Sequence, residues 1–181
     1  MKWFIASDIH GSAYWCRKML EAFAREKADR ILLLGDVLYH GPRNDLPEEY
    51  APKKVIEMLK DKRNIILGVR GNCEAEIDEV VLGFPLMADY TILILDDLFV
   101  FATHGHHYHK ENLPPLEKGS ILLHGHTHVP CYEEGDVSIY NPGSVSIPKN
   151  GSPHGYMIYE DRTFTWKDLD GNVYHEVTKK A

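Results

Sequence analysis

In the first half of the chain, short apolar runs typical of buried strands alternate with segments in which apolar residues have helical spacing. Short apolar runs that end at polar or small residues predict buried strands at residues 2–7, 30–34 and 64–69. Between them, apolar residues recur at helical spacing and predict helices over residues 13–27 and 51–60. Strands that alternate with helices are typical of parallel pairing with right-handed crossovers, so we expect these three strands to share one sheet.

The second half has short apolar segments that are separated by turn residues. Residues 90–95 and 98–103 flank Asp96-Asp97 and predict a hairpin. Further strands are predicted at residues 120–124, 130–133, 137–140, 155–159, 163–169 and 173–177. Because no repeat or Pro/Gly-rich linker divides the chain, we expect a single domain over residues 1–181, with a sheet core and its helices outside.

Composition narrows the class of protein. With 181 residues, 44% hydrophobic and 26% charged, the chain has the make-up of an ordinary globular domain, which excludes disordered and collagen-like chains. Its 20 basic and 27 acidic residues give a net charge of −7, so the chain has no overall electrostatic attraction for nucleic acid or for an anionic membrane. We therefore expect no stable nucleic-acid complex, and any phosphate recognition has to be local.

Membrane attachment and disulfides are not expected either. The longest apolar runs have the length of strands, and the N-terminal run is too short for a signal peptide. The three cysteines (Cys16, Cys73 and Cys131) are odd in number and form no CxxC pair. These features predict a cytoplasmic protein.

Histidines are concentrated where predicted strands end. Of the 11 histidines, several stand beside carboxylates or an amide in five short clusters, Asp8-Ile9-His10, Gly35-Asp36, Gly71-Asn72, Thr103-His104-Gly105-His106 and Gly125-His126-Thr127-His128. Ligands of α/β sheets bind beyond the carboxyl ends of parallel strands, and three of the clusters follow such strands. We therefore expect these side chains to converge on one site.

The donor atoms in these clusters indicate a pair of metal ions. Asp8, Asp36, Asn72 and the histidines supply oxygen and nitrogen donors, too many for one tetrahedral zinc ion. They suit two divalent ions bridged by Asp36, since a carboxylate has two oxygens to share. Such a pair can hold a bridging hydroxide and stabilise the attacking and leaving oxygens of a phosphoryl displacement. The local positive charge would also attract an anionic phosphate.

The order of these motifs, DxH, GDxxxHG, GNx[DE], THGH and GHTH, resembles that of the calcineurin-like metallophosphoesterases. The stretches GDVLYHGPRN (35–44), RGNC (70–73) and NPGSVSIPK (141–149) are similar to the small bacterial YfcE-type phosphodiesterases. The resemblance covers residues 5–149. It implies an α/β fold, a four-layer α/β/β/α sandwich with two mixed sheets, and a dinuclear site most often filled by Mn²⁺. The donor types alone also admit Zn²⁺, Fe²⁺, Co²⁺ or Ni²⁺.

The resemblance also implies a role for individual residues. One ion would be held by Asp8, His10, Asp36 and His128, and the other by Asp36, Asn72, His104 and His126. Asp36 and Asn72 would be catalytic as well. Substrate would contact Cys73, Arg43 and His40. For His40 and His106, orienting a ligand and touching substrate both stay open, and Arg43 and Arg70 could equally be solvated surface residues.

One position departs from the wider family pattern. Many relatives have a histidine after the asparagine, thought to bind phosphate or protonate the leaving group, whereas this chain has Cys73. The carboxylate that would orient that histidine is retained as Glu74. A thiol with a pKa of about 8.5 is a poorer proton donor at neutral pH than an imidazole of about 6.5, so weak assistance to the leaving group is our hypothesis.

These observations predict a dinuclear metal-dependent phosphodiesterase that acts on a small phosphodiester. Two alternatives are a non-catalytic metal-binding scaffold of the same fold and a phosphomonoesterase that uses the same site. The apolar loop residues Tyr39, Leu46 and Tyr108 could support a homo-oligomer.

Overall fold

The computed structural model describes residues 1–180 of the chain. Its helices are α1 (Ala13–Glu26), α2 (Pro52–Lys60) and α3 (Glu76–Leu82). Its strands are β1 (Trp3–Ala6), β2 (Arg30–Leu33), β3 (Ile66–Gly68), β4 (Tyr90–Leu95), β5 (Leu98–Thr103), β6 (Ile121–Leu123), β7 (Cys131–Glu133), β8 (Ser138–Asn141), β9 (Gly155–Glu160), β10 (Thr163–Asp168) and β11 (Val173–Thr178). No helix within residues 1–180 is both long and apolar enough to cross a membrane.

The first sheet contains strands from both halves of the chain, in the order β11-β10-β9-β1-β2-β3. β1, β2 and β3 are parallel, which confirms the pairing expected from the strand–helix alternation. The helices between them begin at local signals. Ser12 accepts a hydrogen bond from the Trp15 amide at 3.2 Å and caps α1, and Pro52 occupies the first turn of α2, where its missing N–H has no cost.

The second sheet has the order β4-β5-β6-β8-β7. β4 and β5 form the predicted antiparallel hairpin, with Leu95 opposite Leu98 across the turn. β5, β6 and β8 are parallel, so the chain leaves β5 and β6 at the same edge of this sheet. That edge lies beside the carboxyl ends of β1 and β2, because the Gly125 amide after β6 bonds to His104 and the His126 amide bonds to Asp8.

Strand alternation divides the core into layers. In β1, Phe4 and Ala6 face α1 and α2, whereas Ile5 faces the second sheet and packs in a cluster that includes Val100 and Trp166. The α/β sandwich of two mixed sheets is thereby confirmed. On the outer face of the second sheet the covering layer differs from the helical one that the resemblance implies. A non-helical segment, residues 105–119, covers it, and its Tyr108 and Leu116 pack there.

Helix α3 is the one helix of residues 1–180 that the hydrophobic pattern fails to predict. Its apolar residues Ile77 and Val80 are 59% and 73% exposed, so they form no buried stripe at helical spacing. The helix depends on its ends instead. The Asp78 carboxylate accepts the Ala75 amide at 2.9 Å, and Gly83 ends the helix in the left-handed conformation.

Candidate metal centre

The five predicted clusters meet at one edge of the sandwich. Asp8 and His10 follow β1, Asp36 follows β2, Asn72 follows β3, His104 follows β5, and His126 and His128 follow β6. Backbone bonds join these loops, with the Asp8 amide 3.1 Å from the Gly35 oxygen and the His10 amide 2.8 Å from the Asp36 oxygen. The structure therefore brings together all seven residues for which a metal-binding role is predicted.

The first group consists of Asp8, His10 and His128, all of them buried. Asp8 Oδ1 lies 3.2 Å from His128 Nε2 and 3.5 Å from His10 Nε2. The two Nε2 atoms are 3.1 Å apart. Three potential donor atoms of different residues thus face one point.

The second group is arranged around His104. Its Nε2 lies 3.4 Å from Asp36 Oδ2, 3.1 Å from Asn72 Oδ1 and 3.2 Å from His126 Nδ1. Asp36 Oδ2 is also 3.7 Å from His10 Nε2 in the first group. Asp36 therefore lies between the two groups, where the sequence predicts a bridging carboxylate.

Backbone carbonyls fix the tautomers of three histidine rings, on the side of each ring that faces away from the centre of the site. The Nδ1 atoms of three histidines donate to carbonyl oxygens, His10 to Tyr39 at 2.8 Å, His104 to Leu34 at 2.6 Å and His128 to Ile147 at 2.6 Å. A carbonyl oxygen only accepts, so the proton of the neutral ring is on Nδ1 and the Nε2 lone pair faces the centre. This is the outer arrangement usual for metal-binding histidines.

The donor set fits divalent cations. Asp8 Oδ1 is buried and has no hydrogen-bond donor within residues 1–180. The His10 and His128 Nε2 atoms also lie opposite each other, although their neutral tautomers place lone pairs on both. Buried acceptors that converge in this way require positive charge between them, and a metal ion supplies it. The same holds for His104 Nε2 and the Asn72 oxygen.

The electrostatics of the site favour positive charge as well. Burial opposes ionisation, but the His10 and His128 rings hold the pKa of Asp8 well below its usual range. Burial likewise opposes protonation of His104, yet the Asp36 and Asp8 carboxylates raise its pKa to about 9. In the absence of a metal ion, a proton on His104 thus supplies positive charge at this place, and burial together with that charge lowers the pKa of His126 to about 4.

Five of the seven residues have left-handed backbone conformations. The φ angles are 59° for Asp8, 49° for His10, 55° for Asp36, 67° for His126 and 61° for His128. Residues with a Cβ adopt this region at a cost of about 1 kcal/mol each, and such strain is concentrated at functional sites. The sharp turns aim side chains from several strands at one point.

Two glycines allow the loops to approach this closely. A Cβ on Gly71 would lie 2.1 Å from Asp36 Oδ1, and one on Gly125 would lie 1.9 Å from Ser7 Oγ. No side chain fits at either position without displacing Asp36 or the loop after β1.

Glu74, the carboxylate that would orient a histidine at position 73 in many relatives, binds backbone amides in this chain. Its carboxylate accepts three backbone amides, those of Asp36 at 2.8 Å, Val37 at 2.6 Å and Gly71 at 2.6 Å. It thereby ties the loop after β2 to the loop after β3, and it is 7% exposed. Burial and the Asp36 charge raise the pKa of Glu74 to about 7. The residue fixes the backbone that carries Asp36, and all its described contacts are to main-chain groups.

A cavity of about 410 Å³, here called the front cavity, opens beside the two groups. Arg43 and Cys73 line it, as does Lys149, for which no site role is predicted from the sequence. Cys73 Sγ accepts from Asn72 Nδ2 at 3.2 Å, and burial together with the Asp36 charge raises the pKa of this thiol. Lys149 belongs to the quoted NPGSVSIPK stretch, so that motif was the available signal.

Two other residues considered from the sequence lie elsewhere. His40 packs edge-on against Tyr39 and Tyr50, with ring centroids 4.7 and 5.1 Å away, and does not line the front cavity. Arg70 is exposed and is likewise outside this lining. Of the three residues for which a substrate contact is predicted, Arg43 and Cys73 line the front cavity and His40 does not, and the contact itself stays a prediction.

Known proteins are similar to this chain in sequence and in fold. Residues 1–163 match the model of the calcineurin-like phosphoesterase superfamily domain. The chain is 48% identical to phosphodiesterase YfcE of Escherichia coli K12 over 162 residues, which are 89% of this chain and 88% of that protein. It is 27% identical to phosphodiesterase MJ0936 of Methanocaldococcus jannaschii, over 84% and 89% of the two chains. The solved structure of the phosphoesterase YfcE from E. coli superposes with a TM-score of 0.95 at 44% identity, over 98% of this chain and 99% of that one. The chain therefore belongs to the calcineurin-like phosphoesterase superfamily.

Proposed function

We propose that this chain is a phosphodiesterase that binds two divalent metal ions, most often Mn²⁺, and hydrolyses small phosphodiesters. The observation that carries the proposal is the position of Asp36 between two groups of converging N and O donors. The names of the relatives YfcE and MJ0936, both phosphodiesterases, support the reaction class. Non-catalytic scaffolds of this fold tend to lose part of the donor set, whereas all seven predicted ligands converge here.

When bound, the two ions would supply a bridging hydroxide as nucleophile and neutralise charge on the phosphate oxygens. The residues of the chain prepare this chemistry. The carbonyls of Tyr39, Leu34 and Ile147 keep the imidazole protons on Nδ1, so the rings do not turn away from the centre. Arg43 and Lys149 line the front cavity and supply positive charge for the substrate anion.

Metal removal tests this proposal directly. After treatment with a chelator, we expect hydrolysis of bis(p-nitrophenyl) phosphate to fall at least about a hundredfold and to return when Mn²⁺ is added. The expected reason is that no other group near the phosphate can activate water to the same extent. The corresponding monoester, p-nitrophenyl phosphate, is assayed in parallel, and a slower reaction with it distinguishes a diesterase from a monoesterase. A chain that binds Mn²⁺ but hydrolyses neither ester would be a scaffold.

Changing Cys73 to histidine tests the weak assistance to the leaving group. The raised pKa of the thiol makes Cys73 a poor proton donor, whereas an imidazole donates readily at neutral pH. We expect Cys73→His to raise kcat by about tenfold for diesters with poorly departing alcohols and less for p-nitrophenyl esters. Cys73→Ser is the control of similar size. Unchanged or lower rates across the whole series of leaving groups would refute the hypothesis.

A further inference from the structure

A second cavity lies on the other side of the loop after β6. This rear cavity has a volume of about 550 Å³ and is lined by residues that include His106, His109, Val129, Pro130, Cys131 and Ile139. His126 and Thr127 line both the rear and the front cavity. The two spaces are therefore adjacent, with a predicted metal ligand in their shared wall.

Charge distinguishes the two cavities. In the rear cavity, the ionic side chains are paired among themselves, Lys110 with Glu133 and His109 with Glu111 at 2.8 Å. In the front cavity, Arg43 and Lys149 form no ion pair with a carboxylate of residues 1–180, and the one carboxylate of the lining, Asp36, belongs to the candidate metal centre. The front cavity therefore attracts an anionic group, whereas the rear cavity has no unpaired cationic side chain that would bind an anion.

The chemistry of the rear walls is that of an organic ligand site. Val129, Pro130 and Ile139 supply apolar surface, and His109 and Cys131 add polarisable groups. A volume of about 550 Å³ lies within the range usual for small-molecule pockets. The cavity is formed where β7 and β8 meet the non-helical segment 105–119, so its shape depends on that segment.

We propose that the rear cavity binds one organic arm of the phosphodiester, a planar apolar group of the aryl or heteroaryl class. This inference rests on the proposed function, which places the phosphate at the metal centre beside His126. A diester carries two arms on one phosphorus, and the cavities on either side of His126 and Thr127 offer the two arms different spaces. The polar or charged arm occupies the front cavity with Arg43 and Lys149, and the apolar arm occupies the rear cavity. The substrate is therefore an asymmetric diester.

Filling the rear cavity tests the assignment. Cys131 is half-buried on β7 and outside the metal centre, so Cys131→Phe adds bulk to the cavity wall without touching a predicted ligand. We expect kcat/KM for bis(p-nitrophenyl) phosphate to fall by at least about tenfold, since an aryl group loses its buried surface. Leu113→Phe is the matched control, because Leu113 is exposed on the same covering segment and does not line the cavity. Its kcat/KM should stay within about twofold of the wild type.

Methyl p-nitrophenyl phosphate, assayed with the same variants, identifies the arm. A loss confined to the bis-aryl ester assigns the rear cavity to the retained arm, and an equal loss for both esters assigns it to the leaving arm. Unchanged kcat/KM for both esters in a folded Cys131→Phe protein overturns the inference, with folding checked by thermal unfolding. Failure of the proposed function is distinguishable, because the wild type would then hydrolyse neither ester with Mn²⁺.

Discussion

Replacing Asp36 with asparagine is expected to lower kcat/KM for bis(p-nitrophenyl) phosphate by about a thousandfold, or ~4 kcal/mol. Asp36 Oδ2 lies 3.4 Å from His104 Nε2 and 3.7 Å from His10 Nε2, and it is the carboxylate oxygen that faces both groups. An amide nitrogen at that position would present protons to both imidazoles and could not bridge two cations. The loss should be accompanied by fewer bound Mn²⁺ ions per chain, measured by elemental analysis.

The fold should survive this change, which makes the result interpretable. Asp36 Oδ1 accepts the Cys73 amide at 2.9 Å, and an asparagine oxygen can accept the same bond. The midpoint of thermal unfolding of metal-free Asp36→Asn is therefore expected to fall only modestly, because the His104 ring, which holds the pKa of Asp36 below its usual range, loses a charged partner while the bond from the Cys73 amide is kept. Full activity in Asp36→Asn would contradict the bridging role.

Replacing Glu74 with alanine is expected to destabilise the protein by about 3 kcal/mol or more, measured by urea unfolding. The change leaves three backbone amides without their acceptor, at Asp36, Val37 and Gly71. A buried donor that loses its partner incurs a desolvation cost that water cannot offset in a closed loop. Because the freed backbone carries Asp36, activity should fall together with stability.

Two further variants separate this role from a general effect of removing a carboxylate. Glu74→Gln keeps an oxygen that can accept from Asp36 and Gly71, but its amide nitrogen meets the Val37 N–H, so we expect an intermediate loss. Glu79→Ala removes a carboxylate that accepts the amides of Leu86 and Met87 away from the metal centre. It should leave activity unchanged. Equal stability of Glu74→Ala and the wild type would refute the proposed tie between the two loops.

The sequence was sufficient to predict most of the fold, because hydrophobic periodicity and strand–helix alternation reflect burial. β1, β2 and β3 are parallel, and the turn at Asp96 joins an antiparallel pair, as expected. Helix α3 was missed because exposed Ile77 and Val80 give no buried stripe. The non-helical cover of the second sheet was missed because a resemblance between motifs describes the site and says little about a peripheral layer.

The candidate site was predictable to a similar depth. The rule that ligands bind beyond the carboxyl ends of parallel strands predicts that Asp8, Asp36 and Asn72 lie close together, and in the structure all three lie around His104 or its neighbours in the site. The backbone carbonyls that orient the histidine rings are not predictable from the sequence, since each of them belongs to a segment far away in the chain. The position of Lys149 in the front cavity and the three amides bound by Glu74 likewise depend on tertiary contacts that no local pattern encodes.

Five predicted metal ligands have a left-handed backbone, which lowers the stability of the fold in exchange for a functional side chain at each position: Asp8, His10, Asp36, His126 and His128. Glycine adopts that conformation without steric penalty, so selection for heat tolerance alone would favour glycine at each of the five positions. Every such exchange would delete a predicted metal ligand. Stabilising substitutions in a more thermostable variant therefore have to lie away from these turns, for instance on the solvent-facing side of α2 or in segment 105–119, which covers the second sheet.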